Sequence, residues 1–319
     1  MKATVTGADG FVGQWLLRHL LGEANEVTGL IRGDSPSLTT LDVESAGKVR
    51  WRSFELLQLE SVKAAVKDAR PDIVFHLAAQ SSVPESLANP LETIDTNVSG
   101  TVHVLEACRW LAPDATIVVV GSSDAYGAKA PELMPLREDM PLEPGNPYAA
   151  SKAAAEAVAL QYARSGWSRA IVTRSFNHTG PGQSIRFAIA SFAKQIADVK
   201  AKRRPPHLRV GALEPRRDFT DVRDVVGAYT MLAQRGTPGT VYNVCSGQDH
   251  SMREMLDALI GLAGVAVETI EDQKLLRSIE TPLLVGDPAR IAHDVGWKPA
   301  IDMEHMLGDL LEYYVRAKP

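Results

Sequence analysis

Three glycines spaced three apart, set between a short apolar segment and a helical one, constrain this chain more than any other feature. Lys2-Ala3-Thr4-Val5-Thr6 has the β-branched character of a strand, and Gly7-Ala8-Asp9-Gly10-Phe11-Val12-Gly13 opens directly into a helix-period run. Gly7 permits a tight turn, Gly10 lets backbone approach a pyrophosphate, and Gly13 lets helix pack closely on strand. The helix N-terminus then offers free N–H groups and a positive dipole end to phosphates. A strand–turn–helix of this kind points to a parallel sheet with crossover helices.

The following residues repeat the alternation. Strands are expected over 3–6, 26–31, 73–79, 117–120 and 170–174, with helices over 12–21, 61–69, 91–111 and from Tyr148 onward. Short β-branched runs between helices argue a sheet covered on both faces, a doubly wound, mostly parallel α/β Rossmann domain spanning 1–176. Beyond Asn177 the loops carry Gly and Pro, and helices are expected over 185–202, 222–234, 252–263 and 303–315. Residues 177–319 read as a smaller α/β substrate domain, with segments near 217–243 and 282–287 returning to the first. The crevice between the two is the expected ligand site.

Composition narrows the partners. Among 319 residues the net charge is −5, which gives no general attraction to nucleic acid or anionic membrane. The cluster Lys200-Ala201-Lys202-Arg203-Arg204 sits at a helix end, where the dipole favours cations anyway. Two cysteines, Cys108 and Cys245, are too few for a disulfide scaffold and read as buried apolar groups, which fits a reducing cytoplasm. The eight histidines show no metal-ligand spacing, so no metal is expected. The chain starts on a strand with no apolar leader, so neither secretion nor membrane insertion is expected.

The end of the second strand carries the cofactor preference. An acid there would bind the ribose 2′-hydroxyl of NAD, but the sequence reads Leu30-Ile31-Arg32-Gly33-Asp34. Arg32 can instead pair with a 2′-phosphate, which favours NADP. Asp34 could fold back to a ribose, so NAD stays open.

Asn146-Pro147-Tyr148-Ala149-Ala150-Ser151-Lys152 supplies the candidate chemistry. Pro suits a helix's first turn and the alanines propagate it, so Tyr148 and Lys152 stack on one face. An ammonium beside the phenol is expected to bring its pKa down from near 10 toward working range. Hydride chemistry at a secondary alcohol or ketone needs one such proton carrier.

Together with Gly121-Ser122-Ser123-Asp124-Ala125-Tyr126-Gly127, these segments fall in the order of the extended short-chain dehydrogenase/reductases, which the chain resembles over essentially its whole length. The second half, through 174–184, 217–225, 241–247 and 296–299, resembles the nucleotide-sugar branch, closest to its GDP-4-keto-6-deoxy-mannose reductases. The resemblance implies Ser122, Asp124, Tyr148 and Lys152 at the reacting centre. It implies cofactor contacts from Gly7, Asp9, Gly10, Phe11, Val12, Gly13, Arg32, Glu55, Leu56, Leu77, Ala78, Ala79, Gln80, Asn97, Tyr148, Lys152 and Phe176. Substrate contacts would come from Ser81, Ser122, Ser123, Asp124, Asn177, Phe187, Lys194, Arg217, Arg277 and Glu280, the arginines on the diphosphate of a GDP-sugar. A homodimer through a four-helix bundle of the 91–111 and 148–164 helices is also implied.

Three positions depart from the family pattern. Glu55-Leu56 stands where an Asp-Leu pair contacts adenine, and Arg186 replaces a small residue beside Phe187. Asp124 replaces the glutamate with which dehydratases expel a hydroxyl, and a carboxylate one methylene shorter falls about 1 Å short. NADPH-dependent reduction of a C4 ketone is therefore expected, against the rivals of a 4,6-dehydratase or 4-epimerase that recycles a tightly bound NAD(P). A dinucleotide sensor without turnover is the rival of another class.

Overall fold

The computed structural model describes residues 1–23, 26–275 and 281–317. It begins with β1 (Lys2–Thr6), α1 (Phe11–Gly22), β2 (Glu26–Ile31), α2 (Val43–Gly47), β3 (Arg50–Ser53), α3 (Leu59–Ala69) and β4 (Ile73–His76). Then come α4 (Val83–Ala88), α5 (Pro90–Ile94), α6 (Gly100–Leu111), β5 (Thr116–Val120), α7 (Pro147–Arg164) and β6 (Arg169–Ser175). The chain continues through β7 (Asn177–Thr179), α8 (Ala188–Lys200), β8 (His207–Val210), β9 (Arg216–Asp221), α9 (Val222–Arg235) and β10 (Val241–Val244). It closes with β11 (Asp249–Ser251), α10 (Met252–Ala263), β12 (Glu268–Glu271), β13 (Leu283–Leu284), α11 (Ala289–Val295) and α12 (Met303–Arg316).

Seven strands pair in the order β10-β6-β5-β4-β1-β2-β3, with every neighbour parallel. Ala3, Thr4, Val5 and Thr6 are all buried, as a central strand covered on both faces requires. On one face α1 and α9 pack Leu16, Leu17, Leu20, Val225 and Tyr229 against Val5 and Phe75. On the other α3, α6 and α7 pack Val62, Val66, Val104, Leu105 and Leu160 against Val74, Ile117 and Val172. The order turns outward in both directions from the β1–β4 pair, and in such sheets that switch point opens a crevice beyond the strands' C-terminal ends.

The remaining strands form two small sheets, β11-β9-β13 with β7 on β9, and β12-β8. Here α8, α10 and α12 close a separate core around Phe192, Ile196, Leu256, Leu259, Leu307 and Leu310. The fold is thus a seven-stranded parallel Rossmann-like sheet with a smaller α/β sheet region. Among the described residues no helix is long and apolar enough to cross a membrane.

Several elements differ from the sequence expectation. β3 is additional; its Arg-Trp-Arg-Ser sequence shows no apolar run because it is a sheet edge, with Arg50 and Arg52 both held by Asp68 of α3. β4 ends at His76, since the next two N–H groups, of Leu77 and Ala78, donate to Thr6 Oγ1 instead of a neighbouring strand. The 91–111 helix is interrupted by a π-turn at Asp95–Ser99, where the Gly100 N–H reaches back to Asp95 O. α8 starts later than expected, at Ala188 after a turn closed by Phe187 N–H to Ser184 O, and stops before Lys202, which has φ +56°.

Candidate active site

Asn146 fixes where α7 begins: its Oδ1 accepts the Ala149 N–H at 2.9 Å, and Pro147 follows in the first turn. Such a cap stabilises a helix by about 1 kcal/mol. Ala149, Ala155 and Ala159 are buried, and their small side chains let α7 lie close on the sheet. The same face presents Tyr148 and Lys152 to the end of β5. There Ser122 and Asp124 lie close enough to the Tyr148 hydroxyl to act on its proton, Ser122 Oγ accepts the Asp124 N–H at 3.2 Å, and Lys152 Nζ donates to Val120 O at 2.8 Å.

The electrostatics correct the sequence expectation for the phenol. Burial pushes Tyr148 up, the Asp124 charge adds to this, and the Ser122 hydrogen bond opposes it. Lys152 is not among the groups that move it. Its ammonium is turned to the strand-end carbonyl, and burial lowers it to about 8. Both residues keep some accessible surface, yet their polar ends lie deep among protein atoms.

The glycine turn faces this group across the β1–β4 switch point. Gly7 has φ +67°, and a Cβ there would lie 3.0 Å from the backbone of Ala78. A Cβ at Gly13 would lie 2.4 Å from Gly7 O, so helix and turn meet only through glycine. Gly10 caps α1 with no side-chain partner, which leaves first-turn N–H groups for an anion. Phe11 reaches the second half, stacking on His178 with centroids 6.4 Å apart. These residues fit a dinucleotide: a backbone-lined turn, an uncapped helix start, and the 77–80 loop alongside.

Asn97 ties that loop to α7. Its Oδ1 accepts the Gln80 N–H at 2.8 Å, while Nδ2 donates to Gln80 O at 2.9 Å and to Ser151 Oγ at 2.8 Å. Its amide thus holds protein groups on both sides, beside the loop expected to line the cofactor. Leu77, Ala78 and Ala79 are half-buried along the crevice, with Ser81 exposed beyond them. Asp9 approaches the Ser37 N–H, and Arg32 is exposed past the end of β2. Glu55 is exposed, whereas Leu56 packs on Gly100 and accepts from His103 Nδ1 through its carbonyl.

Other expected residues are placed less simply. Phe176 is 2% exposed, its ring set against Tyr126 and Gly286, so its side chain belongs to the core and not the crevice. Ser123 is likewise buried. Lys194 pairs with Asp198, which also holds Arg203. Arg217 is buried and donates to Arg216 O, while Asp218 beside it accepts from Ser246, Gly247 and Gly286. Asn177 and Phe187 are exposed at the starts of β7 and α8. Arg277 and Glu280 lie outside the described residues.

Three supporting residues escaped the sequence reading. Gln14 Oε1 accepts the N–H groups of Thr39, Thr40 and Leu41, fixing the loop after Arg32. Ser151 joins Asn97 to Tyr148 O. Glu156, one turn past Lys152, forms a buried bidentate pair with Arg174, at 2.6 and 2.9 Å. The signal in each case was a polar residue on a helix face otherwise built from buried apolar ones.

The profile of the GDP-mannose 4,6 dehydratase family matches residues 4–310. The chain is 36% identical to GDP-6-deoxy-D-mannose reductase of Pseudomonas aeruginosa over 314 residues, covering 96% of this chain and 95% of that one. The solved structure of RMD from Pseudomonas aeruginosa, complexed with NADPH, superposes with a TM-score of 0.84 at 34% identity, covering 99% of each chain. UDP-glucose 4-epimerase of Thermus thermophilus, solved with NAD, gives 0.86 at 29% identity over 100% of both. From glycine turn to C-terminal helix, then, the chain belongs to the GDP-mannose 4,6-dehydratase family, NAD(P)-dependent nucleotide-sugar enzymes among the extended short-chain dehydrogenase/reductases.

Proposed function

We propose that this enzyme reduces the C4 ketone of a GDP-4-keto-6-deoxy-hexose, with NADPH as the preferred cofactor. The observation that carries this reading is the gathering of Tyr148, Ser122, Asp124 and Lys152 at the end of β5, where burial and the Asp124 charge favour the protonated phenol. Ketone reduction consumes a proton at O4, so it starts from the neutral phenol that burial and Asp124 favour. Ser122 orients the carbonyl oxygen. Tyr148 gives its proton to O4 as that oxygen gains charge, the Ser122 hydroxyl stabilises the phenolate left behind, and the Lys152 ammonium, donating to Val120 O, keeps α7 and Tyr148 in place. NADPH supplies the hydride when bound; Gly7, Gly10 and Gly13 would hold its pyrophosphate and Arg32 its 2′-phosphate.

Asp124 weighs against dehydration. A dehydratase must also protonate a departing C6 hydroxyl, and Asp124 is both shorter than the glutamate expected there and close enough to Tyr148 to act on its charge. The identity to a GDP-6-deoxy-D-mannose reductase supports the same choice. Incubation with GDP-mannose alone separates the readings: the enzyme leaves it unchanged, whereas formation of a 4-keto-6-deoxy sugar would make it a dehydratase.

The reading includes a homodimer. Leu87, Leu91 and Trp110 on α4, α5 and α6 are 61%, 81% and 65% exposed, apolar side chains on helices that pack beside α7 and that a helical bundle with a second copy would cover.

A further inference from the structure

Behind the reacting residues, a line of buried polar groups crosses from β1 to α7, and no role given above accounts for its central member, His76. His76 Nδ1 lies 2.9 Å from Thr6 Oγ1, and Nε2 lies 3.2 Å from Thr101 Oγ1. Thr6, His76, Asn97, Thr101 and Ser151 are each at most 4% exposed. In such a place every hydrogen must find an acceptor, so the directions can be worked out.

Thr6 Oγ1 accepts from Leu77 N–H and Ala78 N–H, both at 3.1 Å, which fills its lone pairs. Its own hydrogen therefore goes to His76 Nδ1, and the ring proton sits on Nε2. The Nε2–H donates to Thr101 Oγ1, whose hydrogen goes to Asn97 O at 2.6 Å. That carbonyl belongs to the π-turn, and the Asn97 side chain binds both Gln80 and Ser151. Ser151 Oγ then donates to Tyr148 O at 2.7 Å. The opposite tautomer would set two hydrogens against each other between Thr6 and His76, and leave Nε2 facing a hydroxyl whose hydrogen is already spent.

We propose that His76, as the neutral Nε2–H tautomer, is a positioning residue: through Thr101 it holds the Asn97 π-turn, and with it the join between the 77–80 loop and the start of α7. π-Turns inside helices tend to occur at functional sites, and this one has every polar group of its Asn engaged. Burial and the neighbouring Lys152 charge lower His76 to about 3, consistent with a ring that stays neutral.

Nitrogen-15 NMR of histidine-labelled enzyme locates the His76 proton, and kinetics compares wild type with Thr101→Ser and Thr101→Val. The proposal rests on the reductase reading only for its kinetic arm. The expected result is an Nε2–H His76 that does not titrate over about pH 5 to 8, where ordinary histidines do. Thr101→Val should lower kcat on the order of tenfold with both KM values within about twofold, and Thr101→Ser should restore it. A titrating or Nδ1–H His76, an unchanged kcat in Thr101→Val, or a loss that Thr101→Ser leaves in place overturns the proposal. Should the wild type fail to reduce the keto-sugar, the functional reading falls instead. The Asn97 side-chain amide resonances then decide this one: they must move in Thr101→Val and return in Thr101→Ser.

Discussion

The Lys152 ammonium donates to the Val120 carbonyl at 2.8 Å, tying α7 to the last residue of β5, two positions before Ser122. Tyr148, the proposed proton donor, and Ser122, its proposed carbonyl-orienting partner, are thereby held to one strand end. Burial lowers Lys152 to about 8, and the proposed chemistry uses its charged form. Hence kcat/KM should be level near neutrality and fall with unit slope above about pH 8. The same shift has the opposite sign for stability. The folded value lies below the 10.5 of an unperturbed lysine, so between about 8 and 10.5 the unfolded chain binds more protons and the fold gains stability as pH rises. Lys152→Met should lose both effects in a pH–rate profile and in urea melts.

Tyr148→Phe keeps the ring and removes the proton. Turnover should fall about 10²- to 10⁴-fold while the NADPH dissociation constant stays near that of the wild type. Single-turnover kinetics and fluorescence titration measure the two quantities; near-normal turnover would exclude Tyr148 as the donor.

Arg32 should discriminate between the cofactors. Arg32→Ala is expected to raise the KM for NADPH about tenfold, roughly 1.4 kcal/mol, and to leave that for NADH little changed. Parallel Michaelis curves check this, and an equal effect on both cofactors would remove Arg32 from the 2′-phosphate.

Much of this was legible in the chain because strong local rules agreed. Gly7, Gly10 and Gly13 marked the turn, and Asn146, Pro147 and the alanines marked α7. Edges and exceptions were not legible. β3 hides because an edge strand of Arg and Trp has no apolar run, and the π-turn at Asp95–Ser99 carries Asn97, whose side-chain partners Gln80 and Ser151 are distant in sequence. The phenol's environment was misjudged for the same reason: helical spacing put Lys152 below Tyr148, but the Val120 carbonyl decides where the ammonium points.

Glu156→Gln should leave Arg174 as a buried cation without its carboxylate, at side-chain exposures of 6% and 5% for the pair. A loss of about 3–5 kcal/mol in denaturant unfolding is expected. A loss below about 1 kcal/mol would mean that the pair contributes no more than a surface bridge.

Leu91→Glu tests the assembly. A charge at this exposed apolar position should convert the proposed dimer to monomer in sedimentation analysis, with the fold retained by circular dichroism. An unchanged dimer would place the interface elsewhere.

The most direct measurement is the stoichiometry of NADPH oxidation with GDP-4-keto-6-deoxy-mannose, followed by NMR of the product. One NADPH consumed per sugar, with a new C4 hydroxyl, is the predicted result. Conversion of the sugar without net NADPH oxidation, or no conversion by a protein that binds both ligands, would contradict the account.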